Sequence, residues 1–343
     1  MGKITIKEIA KLAGVSNATV SRVIHSPHLV NQKTRERIQQ VMESNNYVYD
    51  AVAGDLSRKK ASVIGLIIPT IKNSIFSSTV YGIQEKAEEG GYTTIIGNSN
   101  YDTKSELNIM TLFQQRRIAG LILTGLSEGV SKRIREFMQL GIPSVVTWEK
   151  LDSSDICYAG FDNFKAAYSM TNHLIGLRHK RIGLIIGPYT RVRRVRSRLD
   201  GYKTALNEHS IPFDSDFIFE SEYTLVDGKE AMQRLLSLPD PPTAVFAASD
   251  VLAMGALTAV KENGLRVPQD ISIAGFDDLD FTAYLDPPLT TVRIPAFEMG
   301  QLAVKMLFEM IDGEMNQVRQ YCLDTDLIIR QSCAEPALDN ISL

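Results

Sequence analysis

Five arginines stand within eight positions of the stretch YTRVRRVRSRLDGY, residues 189–202: Arg191, Arg193, Arg194, Arg196 and Arg198. The whole chain has a formal net charge of −3, so this positive charge is a local concentration. Three kinds of chemistry use such a cluster: contact with nucleic-acid phosphate, a solvated helix face, or a pocket whose guanidinium forks hold an anionic small molecule. At helical spacing Arg191, Arg194 and Arg198 share one face, while Arg193 and Arg196 point elsewhere and are expected to be solvated. Catalytic chemistry has no comparable signal. Ser, His and Asp occur without a nucleophile elbow or a glycine-rich phosphate loop, so no catalytic residue is assigned and no enzyme is expected. His25, His28, His173, His179 and His209 are dispersed, and Cys157, Cys322 and Cys333 are few and scattered. That pattern argues against a metal site, a cofactor or a disulfide framework and fits a reducing cytoplasm.

The elements that must position these residues fall into two charge regimes. Residues 1–60 hold ten Lys or Arg against five Asp or Glu, and the remainder holds 27 against 35. A small basic head on a larger acidic body implies that the head alone meets a polyanion. No apolar run approaches the roughly 20 residues of a membrane helix, and MGKITIKEIA lacks the apolar core of a secretory signal. At 343 residues, two or three domains with their own cores are expected.

Within the head, TIKEIAKLAGVSNATVSRVI reads as two short helices and a tight turn. Thr5 and Glu8 have capping-box spacing, and Ile6, Ile9, Ala10 and Ala13 supply a buried stripe. Gly14 ends the first helix, and Ser16 caps a second whose Val20, Val23 and Ile24 point inward. A third helix opens near Asn31 and runs through QKTRERIQQVMES, with Ile38, Val41 and Met42 closing the core. Helix, short turn, helix is the helix-turn-helix arrangement, whose second helix enters the major groove. Its exposed edge offers Asn17, Ala18, Ser21 and Arg22. Arginine reads guanine, asparagine reads adenine, and an alanine methyl touches thymine. A helix pair used for protein docking has the same spacing.

The string LAGVS-x-x-TVSRV separates these readings. It closely resembles the DNA-binding head of the lac repressor/galactose repressor family of bacterial transcription regulators. The resemblance implies DNA contacts at Thr5, Ser16, Asn17, Ala18, Thr19, Ser21, Arg22 and Asn31. It also implies a hinge helix over YVYDAVAGDL, where Tyr47, Ala53 and Leu56 match the family pattern. Ala53, Leu56 and Arg58 are the hinge candidates, with Leu56 as the wedge that kinks the operator in the minor groove. Tyr49 and Asp50 replace the usual Pro-Asn start. Gly54 costs helix propensity, and Asp50 and Asp55 repel phosphate, so a weakened hinge is expected.

From residue 62 apolar strands alternate with amphipathic helices. SVIGLIIP, TTIIGNSN, AGLILTG and IPSVVTWE are the strands of a first set. After Asp162 the order restarts with helix 163–177, RIGLIIGP, helix 197–209, FIFESEY, helix 227–238, TAVFAASD, helix 251–264 and ISIAGFDD. The fold class is therefore a small all-α head plus an α/β body of two doubly wound parallel-sheet lobes, with a ligand cleft at the carboxyl ends of the strands. HKRIGLIIGP, PTAVFAASDVLAMGAL, GLRVPQDISIAGFDD and PPLTTVRIP carry the family resemblance through the body, which implies similarity to periplasmic sugar-binding proteins. The expected division is a head at 1–46, a hinge at 47–61, a two-lobed body at 62–335 and a tail at 336–343. The resemblance implies an N-lobe of about 62–161 plus 292–321 and a C-lobe of about 162–291 plus 322–335. The tail lacks a leucine heptad, so a dimer is expected.

Cleft candidates sit just past strand ends: Asn73, Ser74, Ile75, Phe76, Asn98, Asn100 and Trp148 in the N-lobe, and Asp162, Arg194, Arg198, Tyr223, Ser249, Asp250 and Asp277 in the C-lobe. The resemblance places ligand contacts at Phe76, Arg198, Tyr223, Ser249 and Asp277. Trp148 could instead be plain core, and Asp250 could cap its helix. The expected function is a ligand-responsive regulator, most simply a repressor, binding a pseudo-palindromic operator as a homodimer. Its effector is a sugar, sugar acid or sugar phosphate, with an anion favoured because Arg194 stands beside Arg198. The competing readings are a solute-binding protein or a cleft enzyme with no role on DNA.

Overall fold

The computed structural model describes residues 4–49, 61–72, 74–127, 129–153, 155–315 and 317–337. Asn73, the hinge candidates Ala53, Leu56 and Arg58, and most of the tail lie outside the described residues. The chain divides into two compact units, Met1–Ala61 and Ser62–Leu343.

The first unit is a three-helix head: α1 (Ile6–Leu12), α2 (Asn17–His25) and α3 (Gln32–Ser44). Each helix start is chemically marked. The Thr5 N–H donates to Glu8 Oε2 at 2.7 Å and Glu8 N–H donates to Thr5 Oγ1, forming the expected capping box. The Ser16 side chain accepts from Thr19 N–H, and Asn31 Oδ1 accepts from Thr34 N–H. Gly14, at φ +64°, makes the left-handed turn between α1 and α2. Ile9, Ala10, Ala13, Val20, Val23 and Ile38 form the buried core, with Ile6, Ile24, Val41 and Met42 packed around it.

The second unit contains two open sheets. The larger is six-stranded and wholly parallel. In spatial order it runs β11 (Gln320–Leu323), β5 (Cys157–Phe161), β4 (Ser144–Thr147), β3 (Gly120–Thr124), β1 (Val63–Ile68) and β2 (Thr93–Asn98). Helices α4 (Ile75–Glu89), α5 (Thr103–Gln115) and α6 (Val130–Gln139) connect its strands. The smaller sheet is ordered β7 (Ile218–Glu220), β6 (Ile182–Ile186), β8 (Ala244–Ala247) and β9 (Ser272–Ala274), and is also parallel. Around it lie α7 (Asn163–Gly176), α8 (Arg193–Glu208), α9 (Leu225–Leu236) and α10 (Asp250–Glu262). Strands buried on both faces explain apolar runs such as VIGLII and IGLII, since parallel sheets carry helices on each side.

Three crossings join the two layers. The chain passes from β5 into α7, and from β10 (Thr291–Arg293) into α11 (Ala296–Ile311), which packs on α4. It returns from β11 through β12 (Asp326–Ile328). β10 and β12 pair antiparallel, so the second and third crossings form one two-stranded ribbon. The fold class expected from the sequence is borne out. The short strands β5, β10, β11 and β12 were not anticipated. Helix α8 begins at Arg193, four residues before the expected start at 197, because Val192 offers no side-chain cap to mark it.

Candidate functional site

At the head, α2 presents its recognition edge. Asn17, Ala18 and Arg22 are exposed and Ser21 is half-buried. Ser16 and Thr19 spend their hydroxyls on each other at 2.9 Å, fixing the helix start. The first-turn N–H groups of α2 and α3 therefore sit at ordered helix N-termini, the geometry that suits phosphate oxygens.

In the body the arginine cluster resolves into separate jobs. Arg198 is 4% exposed. Its Nε donates to Asn163 Oδ1 at 2.8 Å, its Nη1 donates to the Ala248 carbonyl at 3.0 Å, and its guanidinium carbon lies 3.9 Å from the Phe276 ring centroid. Nη2 is left over. Arg194 is 7% exposed and makes neither a hydrogen bond nor an ion pair among the described residues. Its nearest aromatic partner is Tyr101, 5.9 Å from the guanidinium carbon to the ring centroid. It lies across Gly125, where a Cβ would come within 2.2 Å of Nη1.

Two expectations about the cluster need correcting. Arg191 precedes α8 and pairs with Glu222 at 2.8 Å, so it does not share a helix face with Arg194 and Arg198. Arg193 is not simply solvated: although 45% exposed, its side chain pairs with the buried Glu149 at 3.2 Å. Arg196 binds the preceding loop through the carbonyls of Tyr189 and Thr190.

Asp277 follows β9 in a left-handed conformation, φ +122°, and is buried. Its carboxyl is raised well above the usual carboxylate range, by burial first and by neighbouring Asp250, while Arg198 draws it down. Ser249 is 1% exposed, and its hydroxyl lies against the Asp277 carboxyl, which it helps to draw down; Thr124 Oγ1, at the end of β3, is a buried oxygen without a hydrogen-bond partner among the described residues. Buried polar atoms rarely stay unpaired, so Thr124 Oγ1 marks a place where a ligand atom or water belongs. The Tyr223 ring lies over Gly187, where a Cβ would meet the ring 2.2 Å away, and faces Tyr101 at 6.2 Å between centroids. Between the layers is a small cavity lined by Ser99, Tyr101, Glu106, Thr124, Ser127 and Arg194. A wider mouth lies between Thr70, Lys72, Asn100 and Tyr101 on one side and Glu222, Tyr223, Thr224 and Asp227 on the other.

Other candidates are engaged elsewhere. Asp162 caps α7 through Lys165 N–H at 3.0 Å and pairs with Lys150 at 3.1 Å, so its carboxylate is already used. Trp148 is 1% exposed. It stacks edge-on against Phe76 at 5.0 Å and Phe161 at 6.0 Å and donates to Thr79 at 3.0 Å. Phe76, Ile75 and Trp148 thus belong to one buried apolar cluster. Asp250 accepts from Leu279 N–H at 2.8 Å and from Thr291 Oγ1 at 2.6 Å, and burial pushes it up to about 7. It holds the 277–279 loop in place and does not cap α10 with its side chain. Tyr101, Glu106, Thr124, Glu149 and Asn163 were not picked out from the sequence. Thr124 follows the strand-end rule and was legible; Glu106 and Glu149 carry no local signal.

A helix-turn-helix head and a two-layered body with a polar cleft define a class of regulatory protein with a binding-protein-like body. Family models match on both parts: bacterial regulatory proteins of the lacI family over residues 5–50, and a periplasmic binding protein-like domain over residues 171–333. The HTH-type transcriptional repressor CytR of Escherichia coli (strain K12) is 37% identical over 328 residues, covering 96% of each chain. The HTH-type transcriptional repressor PurR of Haemophilus influenzae (strain PittEE) is 33% identical over 333 residues, covering 96% of this chain and 98% of its own. The lac repressor dimer bound to operator and the anti-inducer ONPF superposes with a TM-score of 0.85 at 26% identity, over 97% of this chain and 100% of its own. The transcriptional regulator CelR in complex with cellobiose gives 0.71 at 27% identity, over 96% and 99%. The chain belongs to the lacI family of bacterial regulatory proteins, as its sequence strings implied.

Proposed function

We propose that the protein is a transcription regulator, most simply a repressor, acting on DNA in the bacterial cytoplasm. Its head binds a pseudo-palindromic operator as part of a homodimer, and its cleft takes a small sugar-like effector. The observation that carries the effector reading is a mixed set of buried polar groups and rings: Arg198 Nη2, the Asp277 carboxyl with Ser249 against it, Thr124 Oγ1, and the Phe276 ring 3.9 Å from the Arg198 guanidinium carbon. Donors, acceptors and ring faces in that mixture suit a polyhydroxylated ring. The DNA reading is supported by the exposed edge of α2 and by relatives that are themselves transcriptional repressors. The homodimer is supported by the likeness to the operator-bound lac repressor dimer. The division into head 1–46, hinge 47–61 and two-lobed body 62–335 belongs to the same proposal. Effector binding and operator binding are then coupled through lobe closure, and the coupling is reciprocal.

The charge of the effector follows from what surrounds Arg194. An unpaired buried guanidinium supports a sugar acid or sugar phosphate. Yet Glu106 and Glu149 both act on Arg194 electrostatically, so acidic side chains already occupy its surroundings without a ligand. The geometry therefore supports a neutral polyhydroxylated effector best and an anion second. The test is a thermal-shift panel of neutral sugars, sugar acids and sugar phosphates against wild type, Arg194→Ala and Arg198→Ala. A neutral sugar should stabilise wild type and Arg194→Ala alike and lose its effect in Arg198→Ala. A response to anions alone, lost in Arg194→Ala, would install the anionic effector instead. No response to any member would remove the sugar-like reading.

A further inference from the structure

Arg193 and Arg194 enter from the small-sheet layer, at the start of α8, and both meet the large-sheet layer. Glu149 receives Arg193 on Oε2, while its Oε1 accepts from Leu126 N–H at 2.6 Å. One carboxylate therefore joins the segment after β3, the segment after β4 and the start of α8. Arg194 takes the adjoining place over Gly125, whose φ of +80° and missing Cβ give the guanidinium its room. On the far side of this cavity stands Glu106 of α5, only 4% exposed, with Ser127 donating to Oε2. The groups facing Glu106 are Ser127 from the segment after β3, Tyr101 from the loop after β2, Arg194 from α8, and Glu149 from the segment after β4; Arg191 lines the same cavity. Two cations of one layer thus close on two carboxylates of the other. Of these four only Arg193 and Glu149 pair directly, and Arg193 also reaches the exposed Asp152 at 4.0 Å.

We propose that these four residues form a charge latch across the cleft, in which Arg193–Glu149 holds the lobes together and the protonation state of Glu106 sets how readily they close. A buried carboxylate without a direct cation is costly when ionised and cheap when protonated. Burial pushes Glu106 up to about 7; Ser127 and Arg194 oppose that shift and Glu149 adds to it. An open cleft returns Glu106 to water and to an ordinary carboxylate range. Closure is then coupled to proton uptake at Glu106, so the closed form gains as pH falls toward 6 and weakens as pH rises through 7. This device deepens the cleft reading by giving it a regulator, but it acts without any effector.

Its test therefore uses no ligand. Spin labels are placed at exposed positions on α6 and α9, as Lys132→Cys and Gln233→Cys, in a Cys322→Ser, Cys333→Ser background. The inter-lobe distance distribution is read by double electron–electron resonance between pH 6 and 8.5. Wild type should shift toward longer distances as pH rises. Glu106→Gln, a permanent stand-in for the protonated acid, should keep the short distance throughout. Arg193→Gln should lengthen the distances at every pH, and circular dichroism checks that each variant is folded. A pH-independent wild-type distribution, or a Glu106→Gln profile matching wild type, would overturn the proposal. Either result would leave the sugar-binding reading untouched, since that reading stands on the thermal-shift panel.

Discussion

Asp278 accepts from Arg293 Nε at 2.8 Å, tying the loop that carries Asp277 to the strand β10 by which the chain crosses toward α11. Asp278 also accepts from Arg330 at 2.7 Å, just beyond β12 on the return crossing. Asp277 N–H donates to the Val292 carbonyl at 2.8 Å. Asp277 is thus a single backbone hydrogen bond from the crossover ribbon, and its neighbour Asp278 is tied to both crossings. Burial pushes the Asp278 carboxyl up, but hydrogen bonds from Arg330 and Arg293 outweigh this and hold it below the usual range.

The two arginines on Asp278 should differ in worth. Arg330 is mostly buried and Arg293 is half-exposed. Arg330→Gln leaves a buried carboxylate short of its main partner and is expected to destabilise the body by about 3 kcal/mol. Arg293→Gln removes a solvent-screened partner and is expected to cost below about 1 kcal/mol. Urea unfolding of both variants checks the order; equal losses, or a larger loss for Arg293→Gln, would contradict it.

His179 makes the body sensitive to acid. Its Nδ1 contacts Thr243 Oγ1 and its Nε2 contacts the Ala334 carbonyl, each at 2.9 Å. Burial pushes its pKa down to about 4. The folded ring stays neutral while the unfolded ring takes a proton below about 6.5. Stability linked to His179 is therefore full above 6.5 and declines as pH falls toward 4, by at most about 3 kcal/mol. His179→Gln should lose that part of the slope. Unfolding free energies of the two proteins at pH 7, 5 and 4 supply the comparison, and parallel slopes would contradict it.

The head was legible almost residue by residue because its signals are local. Thr5 and Glu8, Gly14, Ser16 and Asn31 each fix a helix end within four positions in sequence. The alternation of sheets and helices was legible for the same reason. The cleft was only half legible. Ser249 and Asp277 follow strand ends, where a rule locates them, whereas Arg198 lies within α8 and is reached through the family resemblance. Glu149 was missed because its partners, Leu126 and Arg193, lie 23 and 44 residues away. Asp162 and Trp148 are engaged by Lys165, Lys150 and Thr79, which position after a strand does not reveal. The strands β10 and β12, three residues each, exist through pairing with one another and leave no periodic trace.

The hinge prediction stands on sequence alone. Gly54→Ala removes roughly 1 kcal/mol of helix cost and is expected to tighten operator binding several-fold. Leu56→Ala is expected to lower specific affinity far more than non-specific affinity, since the wedge acts on a kinked operator. Titrations of specific and scrambled duplexes at one salt concentration measure both, and unchanged operator affinity in the two variants would count against a hinge of this type.

The most direct test of the central claim is selection of duplexes from a random pool by the purified protein, followed by sequencing and a repeat with Arg22→Ala. The account predicts a two-fold-symmetric motif for wild type. For Arg22→Ala it predicts relaxed preference at one base pair per half-site, a loss of about 1–3 kcal/mol in discrimination there. Enrichment of no motif, or of the same motif at equal strength by Arg22→Ala, would contradict it.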